Sequence, residues 1–439
     1  MLLTETPQET ISKTKNKTVF LKIEFEIIPL KLEYFIAKRL ITAKDHKSSI
    51  SAPIIKIAIT AIALGMIMMI VSIATGRGLQ QKIRQKVSAF NGHIVISGYN
   101  DNNSDVSTTP ISIYQNFYPK FKTVDGITHV QAIASKAGII RTENAFEPII
   151  FKGVGKDYQA DGLKEYLVQG RMPELKSNLN EEVLISKYLC KRLGLKLGDK
   201  FVTYFMKENS EGYNLRNFKI VAIYDSGFQE FDAGYVFGDI RHVQLINKWK
   251  RDQIGSFEVF VDDFTQIEQK GQQVYQETSS TLDSQTIVEK YYYIFEWLKL
   301  FDFNIIVILI VMIVVSTINM VVALLVLILE RTQMIGILKS IGADNWSIRK
   351  IFLYNAAYLI GSGLLWGNSI GIGLLLIQKY FGIIKLNPES YYVNTAPVDI
   401  NIFYILLLNL GTIAICLLVL LIPSYIITKI TPSKSIRFE

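Results

Sequence analysis

Four long apolar stretches most constrain the fold of this 439-residue chain. Each exceeds the roughly 20 residues that an α-helix needs to cross a bilayer. The stretches are Ile54–Ala74, Ile305–Leu329, Ile351–Ile377 and Ile402–Ile427. The first begins too late to be an ordinary signal peptide, and no small-residue cleavage site follows it directly. We therefore predict four membrane-spanning helices, the first of which is retained.

The charges beside these stretches indicate which ends lie in the cytoplasm, where lysine and arginine are enriched. Basic residues precede the first stretch, occur in residues 330–350 and follow the fourth stretch, whereas residues 379–400 are nearly neutral. The basic residues between 77 and 86 oppose this orientation, but the other loops outweigh them. The net charge of +8 is then explained by flanks that face anionic lipid, not by a nucleic-acid surface.

Four spans with both ends in the cytoplasm leave residues 77–297 outside it. This segment is too long for a loop and predicts a folded α/β domain inserted between the first and second membrane helices. Short apolar-rich runs bounded by glycine, aspartate or asparagine are typical of strands. The predicted strands are His93–Ser97, Pro148–Gly153, Glu182–Ser186, Lys200–Phe205, Phe218–Tyr224, Tyr235–Phe237 and Phe257–Val261. The predicted helices are Lys187–Leu193, Ile240–Trp249 and Asp161–Gln169, the last of which ends at Gly170.

Several connecting segments have their own predictions. Residues 1–17 are polar and predict a disordered tail, and Val19–Leu40 predicts an amphipathic helix on the membrane surface. Ser284–Phe303 is rich in aromatic residues, which concentrate at membrane interfaces, and predicts a stalk helix that enters the second span. Asn100–Thr109 is a polar loop, and Val106–Gln115 is either a helix or a loop.

The predicted domain boundaries follow from these assignments. They are residues 1–52 (cytoplasmic tail and amphipathic segment), 53–76 (first membrane helix), 77–297 (periplasmic α/β domain), 298–329 (stalk end and second membrane helix), 330–350 (cytoplasmic helix), 351–378 (third membrane helix), 379–400 (periplasmic loop), 401–428 (fourth membrane helix) and 429–439 (cytoplasmic tail).

Residues with catalytic potential do not form a recognisable constellation. Cys190 and Cys416 are too different in setting to pair, and the four histidines are scattered singly. The sequence Gly153–Lys156 lacks the other glycine and the serine or threonine of a phosphate-binding loop. Acidic residues near strand ends fit turn and cap roles: Asp232, Asp239, Asp262 and Asp263. We expect no covalent chemistry, metal or cofactor on this chain, so the energy for any work comes from a partner.

Small and polar residues within the apolar stretches predict helix packing. Gly363, Gly367 and Gly371 repeat every four residues, which lets a neighbouring helix approach closely, either within the chain or at a subunit interface. Asparagines in or near the stretches favour hydrogen bonds between helices: Asn319, Asn355, Asn368 and Asn409. No charged residue lies deep in a stretch, which argues against an ion-coupled carrier.

A short segment between the second and third stretches has the pattern of an amphipathic helix. Its apolar residues Met334, Ile335, Leu338 and Ile341 follow a helical period, and the segment runs from Glu330 to Ala343. Such a helix at a membrane surface buries one face in headgroups or in a partner protein.

The sequence of this segment, ERTQMIGILKSIGA, resembles the cytoplasmic coupling helix of the MacB/FtsX-like ABC-transporter permeases, and most of all the lipoprotein-releasing (Lol) permeases. Four other stretches are similar to the same family: Phe35–Leu40 with Ile62–Gly65, Phe90–Ile96, Val183–Ser186 with Leu193–Asp199, and Pro432–Glu439. The resemblance covers roughly residues 32–439. The order of one span, a large external domain and three further spans is its most specific part.

The resemblance implies a non-catalytic permease subunit that extracts lipoproteins from the outer leaflet of the inner membrane. A dimer of a separate ABC ATPase, which holds ATP and Mg²⁺, would grip the coupling helix. The implied coupling residues are Glu330, Arg331, Met334, Ile335, Gly336, Leu338, Lys339, Ile341 and Gly342. Aspartate at Gly336 or Leu338 is then expected to abolish coupling but not membrane insertion. Further implied partners are a second permease, identical or homologous, a lipoprotein substrate, a periplasmic lipoprotein chaperone and membrane lipids.

Two other functions of the same superfamily remain alternatives. One is a MacB-type machine that drives efflux of substrate already outside the cytoplasm, although such proteins usually carry the ATPase on the same chain. The other is an FtsX-like scaffold that activates a periplasmic cell-wall hydrolase and transports nothing.

Overall fold

The computed structural model describes residues 29–42, 51–101, 104–143, 145–175, 179–207 and 212–431. The predictions for the tail, the first part of Val19–Leu40 and Pro432–Glu439 lie outside these residues. The chain divides into two units. The helical unit comprises residues up to Thr75, Phe303–Tyr380 and those from Asp399 onward, and the α/β unit comprises Gly76–Asp302 and Phe381–Val398.

The helices are numbered in chain order over the described residues. They are α1 (Pro29–Thr42), α2 (Ser51–Asn91), α3 (Asp161–Lys164), α4 (Lys187–Leu193), α5 (Gln229–Gly234), α6 (Ile240–Ile246), α7 (Ile267–Glu277), α8 (Ile287–Lys290), α9 (Tyr292–Glu330), α10 (Thr332–Ser340), α11 (Asn345–Phe381), α12 (Pro388–Tyr391), α13 (Ile402–Ser424) and α14 (Ile426–Lys429). In the described part of the chain, α2, α9, α11 and α13 with α14 are long and apolar enough to cross a membrane. The prediction of four such helices is confirmed.

The three predicted packing glycines of α11 lie against α2. A Cβ atom added to Gly363 would come 2.7 Å from the Cβ of Ile62, and one added to Gly367 would come 2.9 Å from the carbonyl oxygen of Ala63. At Gly371 the same atom would be 3.5 Å from the Cα of Ile67, which is ordinary contact. The close approach therefore lies within the chain, between its first and third apolar helices.

Polar side chains join the other apolar helices. The amides of Asn368 on α11 and Asn409 on α13 form two hydrogen bonds of 2.7 and 3.1 Å. The Thr317 hydroxyl of α9 lies 3.7 Å from the Cys416 sulfur of α13. Paired polar groups of this kind satisfy each other within an apolar environment, as the asparagine pattern predicted.

The α/β unit contains twelve strands among the described residues. They are β1 (Ile94–Gly98), β2 (Ile111–Ser112), β3 (Ile127–Arg141), β4 (Phe146–Val154), β5 (Leu167–Gly170), β6 (Glu182–Ser186), β7 (Lys200–Met206), β8 (Tyr213–Tyr224), β9 (Tyr235–Asp239), β10 (Gln253–Ile254), β11 (Ser256–Val261) and β12 (Leu282–Thr286). Ten of them form one sheet in the order β12-β1-β11-β3-β4-β9-β6-β8-β5, with β7 bridging β3 and β8. The pairs β4–β9 and β6–β8 are parallel, and the others are antiparallel. The predicted α/β domain is confirmed.

An aromatic core fills one side of this sheet. The last four turns of α2 bury Leu79, Ile83, Val87 and Phe90 in it, at a spacing that places all four on one helix face. The Phe90 ring stacks on the Phe231 ring at a centroid distance of 4.5 Å. Helix α2 thus provides part of the hydrophobic core of the α/β unit.

The basic residues that follow the first apolar stretch have structural partners. Lys82 pairs with Glu165, and the Arg84 guanidinium lies 5.1 Å from the Phe264 ring centroid. The Lys86 ammonium donates hydrogen bonds to two backbone carbonyl groups, those of Ser226 and Tyr392. These contacts give the three cations a structural role that the positive-inside pattern does not take into account.

Two secondary-structure predictions are wrong. Asp161–Gln169 is not one helix, because only α3 is helical and β5 pairs with β8. Ser284–Phe303 is not one helix, because β12 pairs with β1 before the helical residues begin. Val106–Gln115 is a loop that contains β2, and a loop was one of its two predicted alternatives. Strand β3, the longest of the described strands, was not predicted. Phe381–Val398, which makes up most of the predicted loop 379–400, belongs to the α/β unit.

We predict that Gly367→Leu destabilises the helical unit by about 1–3 kcal/mol, the usual cost of overpacking. The added side chain meets the Ala63 carbonyl and the Met66 side chain, so α2 and α11 must separate. Thermal unfolding of the detergent-solubilised chain measures the change.

Gly373→Leu is the matched control, because nothing lies within 4 Å of a Cβ atom at that position of the same helix. Equal melting temperatures for the two variants would contradict the assigned packing.

Candidate functional site

The segment from Glu330 to Ala343 contains a helix break and a terminal turn. Helix α9 ends at Glu330, and Arg331 has φ −101° and ψ 20°, so α10 begins at the next residue. Gly342 has φ +95°, and its N–H donates to the Lys339 carbonyl over 3.1 Å. A left-handed residue of this kind ends a helix, and glycine adopts it without steric cost.

The predicted apolar stripe does not point in one direction in the structure. Ile335 is fully buried and Ile341 is 78% exposed, whereas Met334 and Leu338 are half-buried. Gly336 is also buried. Part of the stripe therefore packs inside the chain and is closed to a partner.

An exposed apolar residue of α10, Ile337, was not in the predicted set. It is 45% exposed and lies one helical turn from Gln333 and from Ile341, both of which are exposed. We call Gln333, Ile337 and Ile341 the outer face of α10. The four-residue spacing was visible in the sequence, but only tertiary packing shows which side of the helix is covered.

Lys339, a predicted coupling residue, is engaged within the chain. Its ammonium donates hydrogen bonds to the carbonyl oxygens of Ile427, Thr428 and Ile430 over 2.7, 3.3 and 2.7 Å. Carbonyl groups at a helix C-terminus have no helical partner and carry partial negative charge. Lys339 thus attaches α10 to the end of α14.

Two further basic residues near α10 make contacts within the helical unit. Arg349 donates to the Ser424 hydroxyl over 3.1 Å and to the Leu421 carbonyl over 3.0 Å, at the end of α13. Lys350 lies 3.9 Å from the Glu33 carboxylate of α1. Arg349 thus joins α11 to α13, and Lys350 joins α11 to α1. With the Lys339 contact to α14, α10 and the helix that follows it are both bound to other helices of the helical unit.

The acidic residues near strand ends have the predicted turn and cap roles. Asp239 accepts a hydrogen bond of 3.0 Å from the Arg241 N–H at the start of α6. Asp263 accepts one of 2.9 Å from the Thr265 N–H. Asp232 accepts from the N–H groups of Ser226 and Gly227, each over 3.0 Å. In the described residues, no three histidine, cysteine or acidic side chains are placed to hold a metal ion.

The sheet of the α/β unit contains a buried ion pair between Lys152 and Glu258. The Lys152 ammonium binds the Glu258 carboxylate and the Phe90 carbonyl, and both charged side chains are 2% exposed. Burial lowers the pKa of Lys152, and the Glu258 charge opposes that shift. Gln131 donates to the other carboxylate oxygen over 2.7 Å. The pair joins β4, β11 and the end of α2.

Comparisons with known proteins identify the family. The family described as MacB-like periplasmic core domain matches residues 57–276, which is half of the chain. The family described as FtsX-like permease C-terminal matches residues 306–432. The chain belongs to the FtsX-like and MacB-like family of ABC-transporter permeases. Within this permease, the second match contains α10 and the three packing glycines.

Several curated relatives of the permease are similar along nearly their whole length. The Xylella fastidiosa (strain Temecula1) lipoprotein-releasing system transmembrane protein LolC is 20% identical over 93% of this chain and 99% of the relative. The Haemophilus influenzae LolE protein is 22% identical over 91% and 98%. The Neisseria meningitidis serogroup B LolC protein is 21% identical over 93% and 99%.

We predict that Ile337→Asp or Ile341→Asp weakens binding of an ATPase to the permease by at least about tenfold, because a charge replaces an apolar contact at the centre of an interface. Both variants should still insert and fold, since the changed side chains are exposed. Co-purification of the ATPase measures the loss.

Leu215→Asp is the control, because it makes the same change at a half-exposed leucine of β8. Undiminished ATPase recovery with both α10 variants would exclude the outer face as the contact. Gly336→Asp is a poorer probe than the sequence suggested, because that residue is buried.

We predict that Glu258→Gln destabilises the α/β unit by about 3–5 kcal/mol, because it leaves the buried Lys152 without a counter-ion. Pulse proteolysis in urea measures the loss. Glu165→Gln removes an exposed partner of Lys82 and should cost at most about 1 kcal/mol. A similar small effect of both changes would show that the buried pair is not a structural requirement.

Proposed function

We propose that the chain is the permease subunit that couples ATP hydrolysis on a separate ATPase dimer to the extraction of lipoproteins from the outer leaflet of an inner membrane. The α/β unit would lie in the periplasm and α10 in the cytoplasm. ATP and Mg²⁺ would be held by the ATPase, and this chain would supply the contact surface and the moving helices.

The outer face of α10 is the observation that supports coupling. It presents two exposed isoleucines on a helix that Lys339 attaches to α14. Arg349, at the start of the following helix α11, attaches that helix to α13. Because α10 is bound to α14, a partner that binds and moves α10 would also move the membrane helices next to it. Glu330, Arg331 and Gly342 form the helix break and the terminal turn, which set the angle at which α10 leaves its neighbours.

The proposed cargo is supported by the relatives' names and by the physics of acyl chains. The similar proteins are named for lipoprotein release and match nearly end to end. Extraction of an acyl chain from a bilayer costs about 0.8 kcal/mol for each CH₂ group, so release needs work on the scale of ATP hydrolysis. Helix α9 exposes a row of aliphatic residues that would contact acyl chains, lipid or a second permease: Ile306, Val307, Ile310, Val311, Val314, Val315 and Ile318.

A second permease, identical or homologous, would complete the membrane part, since a dimeric ATPase offers two equivalent binding sites. A periplasmic lipoprotein chaperone would receive the cargo. These partners are proposed from the family, and the described residues carry no separate observation for either.

A MacB-type efflux permease is the second candidate, favoured by the MacB-like match over residues 57–276. The third candidate is a scaffold that activates a cell-wall hydrolase, and it is consistent with the FtsX-like match over residues 306–432. The three functions share an ATPase and differ in what the α/β unit meets.

The decisive experiment is reconstitution of the purified permease and its ATPase in proteoliposomes that contain an acylated lipoprotein. We expect ATP-dependent release of the lipoprotein into a soluble acceptor. An ATPase variant that binds but does not hydrolyse ATP is the control.

Mass spectrometry of proteins that co-purify in mild detergent separates the alternatives. An ATPase with acylated lipoproteins supports release, an ATPase with a hydrolase supports the scaffold, and an ATPase with a periplasmic adaptor and an outer-membrane channel supports efflux. Recovery of no ATPase, under conditions that preserve a known ABC complex, would contradict all three.

A further inference from the structure

Three passages of the chain meet at one place in the α/β unit. They are the end of α2, the beginning of α9, and Phe381–Val398, which connects α11 to α13 and which we call the strap. They converge on the loop that follows β8. We call the contacts of Lys86, Ser226, Phe228, Trp297 and Tyr392 the clasp.

The polar part of the clasp is a buried ammonium group. Lys86 is 4% exposed and donates to the carbonyl oxygen of Ser226 and, over 2.9 Å, to that of Tyr392. A buried charge is costly unless its donors are satisfied. The nearby Asp232 carboxylate, 7% exposed, holds the N–H of Ser226 and attracts the ammonium. Lys86 thus depends on a carbonyl of the strap for part of its solvation.

The apolar part of the clasp is a run of aromatic rings. The Tyr392 ring stacks on the Phe228 ring with centroids 4.6 Å apart and planes 22° apart. The Trp297 ring of α9 meets the Tyr392 ring edge-on at 5.6 Å. Phe228 stacks in turn on Phe231, which belongs to the aromatic core. The strap is therefore continuous with the core of the α/β unit.

The strap residue at the centre of the clasp has an unfavourable backbone. Tyr392 has φ +59°, a left-handed conformation that is disfavoured for residues other than glycine, asparagine and aspartate. It persists because its carbonyl group meets Lys86 and its ring lies between Phe228 and Trp297. The strap is further closed by Leu386 N–H to Asn394 O and Ala396 N–H to Ile384 O, each 3.0 Å.

We propose that Lys86 is a positioning residue that fastens the strap to the α/β unit, so that movement of α11 and α13 reaches this unit through the strap. Without the clasp, the unit would follow α2 and α9 alone. The part of this proposal in which ATP hydrolysis moves α11 and α13 rests on the proposed function. The attachment of the strap by Lys86 does not depend on that function. The expected consequence is mechanical: loss of Lys86 lowers the work delivered for each ATP but does not block hydrolysis.

The fastening is tested in the full chain with Val393 as the reporter. Val393 lies in the strap next to Tyr392 and is 3% exposed. Val393→Cys is labelled with a soluble maleimide after Cys190 and Cys416 are replaced by serine. Lys86→Met should raise the labelling rate about tenfold, because local opening controls access to a buried thiol.

The matched control is Lys82→Met on the same helix, since Lys82 pairs with the exposed Glu165 and not with the strap. It should leave labelling unchanged. Lys86→Arg keeps the charge and the donors and should restore slow labelling at least in part. If Lys86→Met does not fold, Tyr392→Asn is the second variant, because it keeps a residue that tolerates a positive φ but removes the ring.

The transmission is tested by the amount of lipoprotein released for each ATP hydrolysed in proteoliposomes. Lys86→Met should lower this ratio roughly fivefold, with the basal hydrolysis rate nearly unchanged, and Lys86→Arg should recover it. A merely structural role would lower release and hydrolysis together and would overturn the proposal.

Slow labelling of Val393→Cys in both Lys86→Met and Tyr392→Asn would overturn the fastening. Fast labelling with an unchanged release ratio would overturn the transmission. If the parent chain releases no lipoprotein with ATP, the proposed function fails, and the labelling result still decides whether Lys86 fastens the strap.

Discussion

Cationic side chains that bind backbone carbonyl groups hold this protein together at the ends of its apolar helices. A helix leaves its last carbonyl groups without partners inside the helix, so donors from elsewhere in the chain can bind them. Lys339 and Arg349 supply donors to the ends of α14 and α13. Lys86 does the same for a loop and for the strap in the α/β unit. Each of these three cations joins segments that are distant in sequence.

This pattern changes how the basic residues of the sequence are interpreted. Their distribution was treated as a signal of orientation, and for the flanks of the apolar stretches that is a statistical argument. The structure gives several of them a specific partner, such as the Ser424 hydroxyl for Arg349. A cation that is needed for packing, as Lys86 is, carries no information about orientation. The two roles cannot be separated by counting charges along a sequence.

The success of the sequence predictions follows the strength of local signals. Glu182–Ser186 and Lys187–Leu193 were predicted with their observed bounds, because a run of three apolar residues and a Ser186 cap mark the boundary locally. Strand β3 was missed because Ile127–Arg141 contains alanine, serine and glycine and is held by pairing with β4, β7 and β11. The last three residues of β12, Ser284–Thr286, were taken for the start of a helix because the strand has no apolar alternation, and only the edge of β1 gives it a partner.

The sequence by itself determined the number of apolar helices, the presence of an α/β domain, and the family, because each depends on composition, periodicity or motif order along the chain. Tertiary structure alone decided which face of α10 is free, that Lys339 is engaged with α14, and that Phe381–Val398 packs into the α/β unit. The physical reason is that burial and hydrogen-bond partnership depend on residues distant in sequence. The sequence of one helix shows the period of its apolar residues, but it does not show which other part of the chain covers each face.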